Sequence, residues 1–148
     1  MKIHINQVPD EGLAERATYD PAPLDMERED IQLREPIAVE AKITLAASEL
    51  VVAAGIHCPL RMTCARCLEE FDRPVDTEAV FSYKVKPTDV VDITEDVRQE
   101  IILAYPMVPT CRPDCKGLCR HCGRNLNTET CGHTDEPEGE EAGPFRSL

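Results

Sequence analysis

A chain of 148 residues with 28 Asp and Glu against 16 Lys and Arg carries a formal charge of −12 at pH 7. That excludes gripping nucleic acid by bulk attraction, which rests on many cations neutralising phosphates. With 42% hydrophobic and 4% aromatic residues and no Trp, one modest, largely aliphatic domain is expected, plus appendages that need another source of stability.

Residues 2–8 read as a short β segment, and Pro9, Pro21 and Pro23 interrupt the stretch after it, so residues 1–35 are expected to form an N-terminal strand and extended arm. The opening residues hold no apolar run of signal-peptide length, and nothing approaches the roughly 20 apolar residues of a membrane helix. A cytoplasmic address with no membrane partner is therefore expected. From Pro36 the chain turns apolar and β-branched: Ile37, Val39, Ile43 and Leu45 alternate with other residues, and a second run, 50–56, comes after the break at Ala47, Ser48 and Glu49. These read as antiparallel strands. Cys58, beside His57 in this apolar stretch, suits a buried thiol acting as a small hydrophobe. Residues 60–63 lead into Cys64-Ala65-Arg66-Cys67, expected at the tip of a hairpin whose return strand runs through Val75, Thr77, Ala79, Phe81 and Tyr83.

Residues 92–105 change period, with Ile93, Val97, Ile101 and Tyr105 on one helical face. Asp92 and Glu95 resemble a capping pair, Pro106 stops the run, and the stripe is expected to pack on the sheet. The fold class is thus α+β, mainly antiparallel sheet with barrel-like closure as one arrangement, one amphipathic helix, and a zinc-ordered, loop-rich C-terminal segment. Residues 36–110 form the β-rich core, 111–133 the metal-binding segment and 134–148 an acidic tail with a docking end at 144–148.

The cysteine spacing carries the chemistry. Cys64-x2-Cys67, Cys111-x3-Cys115, Cys119-x2-Cys122 and Cys131-x-His133 supply eight ligands, enough for two closed tetrahedral zinc sites. Four protein ligands leave no open coordination position, which points to structural Zn2+ rather than catalysis. Sequential pairing sets Cys64, Cys67, Cys111 and Cys115 around one ion, across the 43 residues 68–110, and Cys119, Cys122, Cys131 and His133 around the other. A swap of partners and a single occupied site are the alternatives. Segment 111–133 holds few apolar residues, so its order should depend on metal. Disulfides suit a reducing compartment poorly. A non-catalytic iron–sulfur cluster is a competing use of the thiolates, and redox chemistry would want Cys64 and Cys67 at a helix start. Cys115-x3-Cys119-x2-Cys122 also has the spacing of radical enzymes that use S-adenosylmethionine, but this chain lacks room for their barrel. His121 reads as an exposed turn residue, and no catalytic constellation or small-molecule site stands out.

Three stretches in this order, Cys64-Ala65-Arg66-Cys67-Leu68-Glu69, then Asp92-Ile93 through Glu100-Ile101-Ile102-Leu103-Ala104 to Pro106, then Cys115-Lys116-Gly117-Leu118-Cys119-Arg120-His121-Cys122-Gly123-Arg124-Asn125-Leu126-Asn127, resemble the YceD family of large ribosomal RNA subunit accumulation proteins. The resemblance spans roughly residues 36–148, and residues 145–148 are similar to the family's terminal motif. It implies a non-enzymatic cytoplasmic factor that supports accumulation of large-subunit ribosomal RNA through its processing or assembly. His133 stands where the resemblance leads one to expect cysteine; imidazole serves zinc as well, but suits an iron–sulfur cluster less.

Arg66, Arg112, Lys116, Arg120 and Arg124 lie around the ligands, with only Asp114 and Glu129 opposing them between Cys111 and His133. They are candidate RNA-binding residues, placed to touch phosphates of pre-ribosomal RNA as positioning contacts. A solvated rim on a structural module is the plainer alternative. Scarce aromatics argue against base stacking. The competing reading is a zinc-stabilised adaptor that binds a basic ribosomal protein or assembly factor without touching RNA.

Overall fold

Three ten-residue strands with alternating burial make the body of the molecule. The computed structural model describes residues 1–133, and the expected tail and docking end lie outside the described residues. In chain order the elements are β1 (Lys2–His4), β2 (Leu13–Tyr19), β3 (Ile31–Gln32), β4 (Ile37–Ala46), β5 (Glu49–Cys58), β6 (Arg61–Thr63), β7 (Glu70–Asp72), β8 (Val75–Lys84), β9 (Val90–Asp92) and α1 (Thr94–Leu103). All strand pairs are antiparallel, in sheets ordered β2-β4-β5-β8, β3-β6-β7 and β1-β9.

The period-two pattern sets the register. Val39 lies opposite Ile56, Ile43 opposite Val52, and Val52 opposite Phe81, so one face of the large sheet is continuously apolar. The β4–β5 hairpin turns on Ala47 and Ser48, with Ala47 at φ 55°, in the left-handed region that a tight two-residue hairpin demands. Against the apolar face pack Ile93, Val97, Ile101 and Tyr105, all buried, as the helical stripe predicts. The helix itself is shorter than 92–105. Ile93, fully buried, stands at its N-cap without a side-chain cap. Asp92 instead accepts hydrogen bonds from the Thr94 backbone N–H and hydroxyl, and Glu95 pairs with Arg98 at 3.1 Å. The Thr94 bonds hold the Asp92 carboxyl below its usual range.

Three expectations need correction. The sheet does not close: among the described residues β2 and β8 are the outer strands of the four-stranded sheet, paired only to β4 and β5, so there is no barrel. The hairpin with Cys64 and Cys67 at its tip closes on β7, not on β8. Arg73 N–H bonds Leu60 C=O at 2.8 Å and Pro74 breaks the ladder, after which β8 crosses to pair with β5 from Glu49↔Lys84 to Cys58↔Val75. The arm is also more structured than its prolines suggest. β2 adds a full strand to β4, and α1 together with Tyr105 just past its end clamps the stretch after it: Arg98 Nε donates to Leu24 C=O at 2.6 Å and the Tyr105 hydroxyl to Met26 C=O at 3.1 Å.

Candidate metal centres

The tip of the β6–β7 hairpin is a tight turn in which Leu68 N–H bonds Cys64 C=O and Cys64 N–H bonds Glu69 C=O, each at 2.9 Å. This aims both thiols of Cys64 and Cys67 to one side. The chain leaving α1 comes back to that turn through Pro109, whose C=O accepts the Ala65 N–H at 2.8 Å, and so delivers Cys111 and Cys115. Sulfur separations are 3.8 Å for Cys64 to Cys115 and 3.7 Å for Cys67 to Cys111, and all four lie within 4.8 Å of one another. Sulfurs about 2.3 Å from a single zinc ion sit about 3.8 Å apart in a regular tetrahedron. The donors and their spacing therefore fit one four-coordinate ion; a cluster of several irons would spread its ligands around more than one metal. The separations are far beyond a disulfide bond.

The second group lies immediately downstream. Gly117, at φ 77°, brings the backbone so close to the first turn that an added Cβ would sit 3.1 Å from Arg66 C=O, which accepts the Leu118 N–H at 3.0 Å. Cys119 and Cys122 then form a knuckle closed by the Gly123 N–H on Cys119 C=O at 2.8 Å, with Gly123 at φ 71°. Cys119, Cys122, Cys131 and His133 bring their donor atoms within 4.8 Å of one another, and Cys119 Sγ lies 4.0 Å from His133 Nδ1. His121 is exposed, as its place in the turn predicts, and its ring stacks on His133 at 5.3 Å between centroids. The structure thus brings together the eight candidate ligands in the sequential grouping and leaves Cys58 alone in the apolar core, its thiol pushed up to about 11 by burial.

The protonation pattern shows why each group favours a dication. At Cys64 burial works against the thiolate, but the N–H groups of Cys111, Cys67 and Arg66 outweigh it and bring the thiol down to about 6. N–H groups of Cys122 and His121 bring Cys119 to about 6 as well. Burial and the neighbouring Cys115, Cys67 and Cys64 push Cys111 up to about 12. One sulfur ionises at its neighbour's expense, and four thiolates in the first group, or three in the second, need a cation to coexist in so small a volume.

Sequence reasoning missed Asn127. Its Nδ2 donates to Cys115 Sγ at 3.3 Å while its Oδ1 accepts the Lys116 N–H at 2.8 Å, and Asn125 Oδ1 holds it through two bonds of 2.8 and 3.0 Å. The loop carrying the second group thereby reaches a sulfur of the first. Asn125-x-Asn127 is visible in the motif, but an amide twelve residues from its sulfur has no spacing signature. Outer-shell partners of this kind are worth about 10–100-fold in metal affinity, so Asn127→Ala should weaken binding at the Cys64 group by that order, as read by competition with a chromophoric chelator.

The five candidate RNA-binding residues are all exposed. Arg66 donates to Cys115 C=O at 2.9 Å, Arg112 lies 3.7 Å from Asp114, and Arg124 lies 3.7 Å from Glu129. Lys116 and Arg120 line the same cavity as Cys119 and His133.

Fold and site together define a small α+β protein with two Cys-rich, four-donor groups able to hold metal ions. Residues 82–148 match the family model of YceD, described as large ribosomal RNA subunit accumulation protein YceD, and over that span the chain is similar to the YceD family. The match takes in six of the eight candidate ligands; Cys64 and Cys67 lie upstream of it. An uncharacterized protein of Mycobacterium tuberculosis is 31% identical over 134 residues, covering 80% of this chain and 64% of the relative. Large ribosomal RNA subunit accumulation protein YCED homolog 1, chloroplastic, of Zea mays is 34% identical over 62 residues, 42% of this chain and 21% of the relative. Its Arabidopsis thaliana counterpart is 33% identical over 58 residues, 39% and 18%. The chain spans under two thirds of the length of the mycobacterial relatives it matches. No solved structure matches. Among the described residues no helix is long and apolar enough to cross a membrane.

Proposed function

We propose that this chain is a zinc-containing, non-enzymatic factor that supports accumulation of large-subunit ribosomal RNA through its processing or assembly, in a reducing, cytoplasmic setting. The observation that carries the metal half is the pair of four-donor groups, each with its donor atoms within 4.8 Å of one another and the Cys64 group with sulfurs 3.7–3.8 Å apart. Zinc would be held by Cys64, Cys67, Cys111 and Cys115 at one site and by Cys119, Cys122, Cys131 and His133 at the other, where it would supply cross-links. A full ligand set favours that role over Lewis-acid chemistry. The ribosomal half is supported by the matched family and by the names of the plant relatives.

Contact with pre-ribosomal RNA through Arg66, Arg112, Lys116, Arg120 and Arg124 fits this reading, and Asp114 and Glu129 beside Arg112 and Arg124 would weaken those two contacts. The adaptor reading, a basic ribosomal or assembly protein as partner, is favoured by the net charge of −12. Metal analysis of anaerobically purified protein is expected to give two zinc ions per chain; iron with stoichiometric sulfide would overturn the assignment. In cells lacking the gene, large-subunit RNA should fall relative to small-subunit RNA and recover with the intact chain but not with a Cys64→Ala form. A nuclease-treated pull-down that still recovers a ribosomal protein would favour the adaptor.

A further inference from the structure

Away from the metal groups, the β3–β6–β7 sheet gathers three arginines that are far apart in sequence. Register does this: Gln32 on β3 lies opposite Arg61 on β6, and Arg61 opposite Asp72 on β7, so Arg34 and Arg73, just beyond their strands, flank Arg61. The three side chains line a cavity of about 170 Å³ with Pro59 and Pro74 among its walls. The Arg73 N–H on Leu60 C=O at 2.8 Å clamps those two corners together.

The arginines are not equivalent. Arg61 is neutralised, its Nε 2.8 Å from Glu70 and its Nη1 3.6 Å from Asp72. Arg34 donates to the neutral Gln32 Oε1 at 2.8 Å, which orients the guanidinium without cancelling its charge. Among the described residues neither Arg34 nor Arg73 has a carboxylate within ion-pair distance, and Glu35 is the one acid of the cavity wall outside the Arg61 pairs. In a chain of charge −12 this is a local concentration of free cation, set in a concavity and built from the side chain that best matches phosphate geometry.

We propose that this cavity binds a phosphate group of RNA, with Arg34 and Arg73 as the two cationic contacts and Arg61 as the anchored wall between them. The RNA source of the phosphate rests on the ribosomal function proposed for the chain. The cavity is smaller than the roughly 300–1,000 Å³ of small-molecule sites, which favours one group of a large ligand over a whole nucleotide. No aromatic side chain lines it, so bases are not stacked there and the contact is to the backbone, independent of sequence. The surrounding negative charge opposes long-range attraction, so the site acts only at contact and strengthens binding that other surfaces begin.

The test uses the full chain as purified, with inorganic phosphate and a mixed-sequence single-stranded RNA as probes, read by the arginine Nε–Hε resonances and by affinity across a salt series. Arg34 and Arg73 should shift with both probes, and RNA should bind more tightly than phosphate. Arg34→Gln/Arg73→Gln should lower the slope of log affinity against log salt by about 0.7 for each phosphate contact removed. Glu35→Gln, which removes the opposing charge without touching the fold's core, should tighten binding of both probes. RNA bound by the double variant with an unchanged slope would overturn the cavity while leaving the ribosomal reading intact. Phosphate bound as tightly as RNA would overturn RNA as the source, and a Glu35→Gln form with unaltered affinities would count against the site as a whole.

Discussion

Cys64→Ala should release one metal ion per chain and free residues 111–133 from the β body. Cys64 is fully buried, its sulfur accepts N–H bonds from Arg66 and Cys111, and it lies 3.8 Å from Cys115. Among the described residues the cluster around it holds no buried aliphatic side chain: its buried members are Cys64, Cys67 and Cys115, with Phe71 and Cys111 beside them. Apolar burial therefore cannot hold the segment, and an ion bound as proposed would. Structural zinc contributes about 10–16 kcal/mol in apparent binding free energy to small modules of this type, enough to decide whether the segment is folded. Chelation of the unaltered chain should have the same outcome. Hydrogen exchange should show amides of 111–133 losing protection while those of β4 and β5 keep theirs, and proteolysis should cut in the same place. Cys131→Ala should instead release the other ion and loosen chiefly 119–133, because the Cys64 group keeps all its ligands. Unchanged protection of 111–133 in a metal-free sample would refute the cross-linking role.

Much of this is readable from the chain because the physics involved is local. Ile93, Val97, Ile101 and Tyr105 repeat at helical period, and the alternation from Ile37 to Cys58 sets two strands that must pair as a hairpin. Thiol spacing names the ligands because a knuckle needs two sulfurs on one turn. The hidden features depend on distant partners. β2 places Glu15 and Arg16 in mid-strand and buries neither face fully, as an outer strand can, so its pattern is faint. β3, β6 and β7 are two or three residues long and exist only by pairing with one another. The crossing of β8 to β5 is a long-range register decision, and the same sheet register, unseen in the sequence, assembles Arg34, Arg61 and Arg73.

The helix stripe makes the second large expectation. Ile101→Ala empties a fully buried position between α1 and the sheet, a change that costs about 2–5 kcal/mol, against total stabilities of about 5–15 kcal/mol for ordinary domains. Leu103→Ala, at a side chain 78% exposed on the same helix, should stay within about 0.5 kcal/mol. Urea unfolding must be compared at a fixed free zinc concentration, since an ion bound only to the native form adds its own stabilisation. Ile101 also stands upstream of the Cys64 group: the chain runs from α1 through buried Tyr105 and Pro109, whose C=O receives the Ala65 N–H at 2.8 Å, to Cys111. Loosening α1 therefore moves Cys111 relative to Cys64, so Ile101→Ala should lower the affinity of that group for zinc as well as the urea midpoint. A lower midpoint with unaltered zinc affinity would mean that the hairpin tip and the metal place Cys111 without help from the helix.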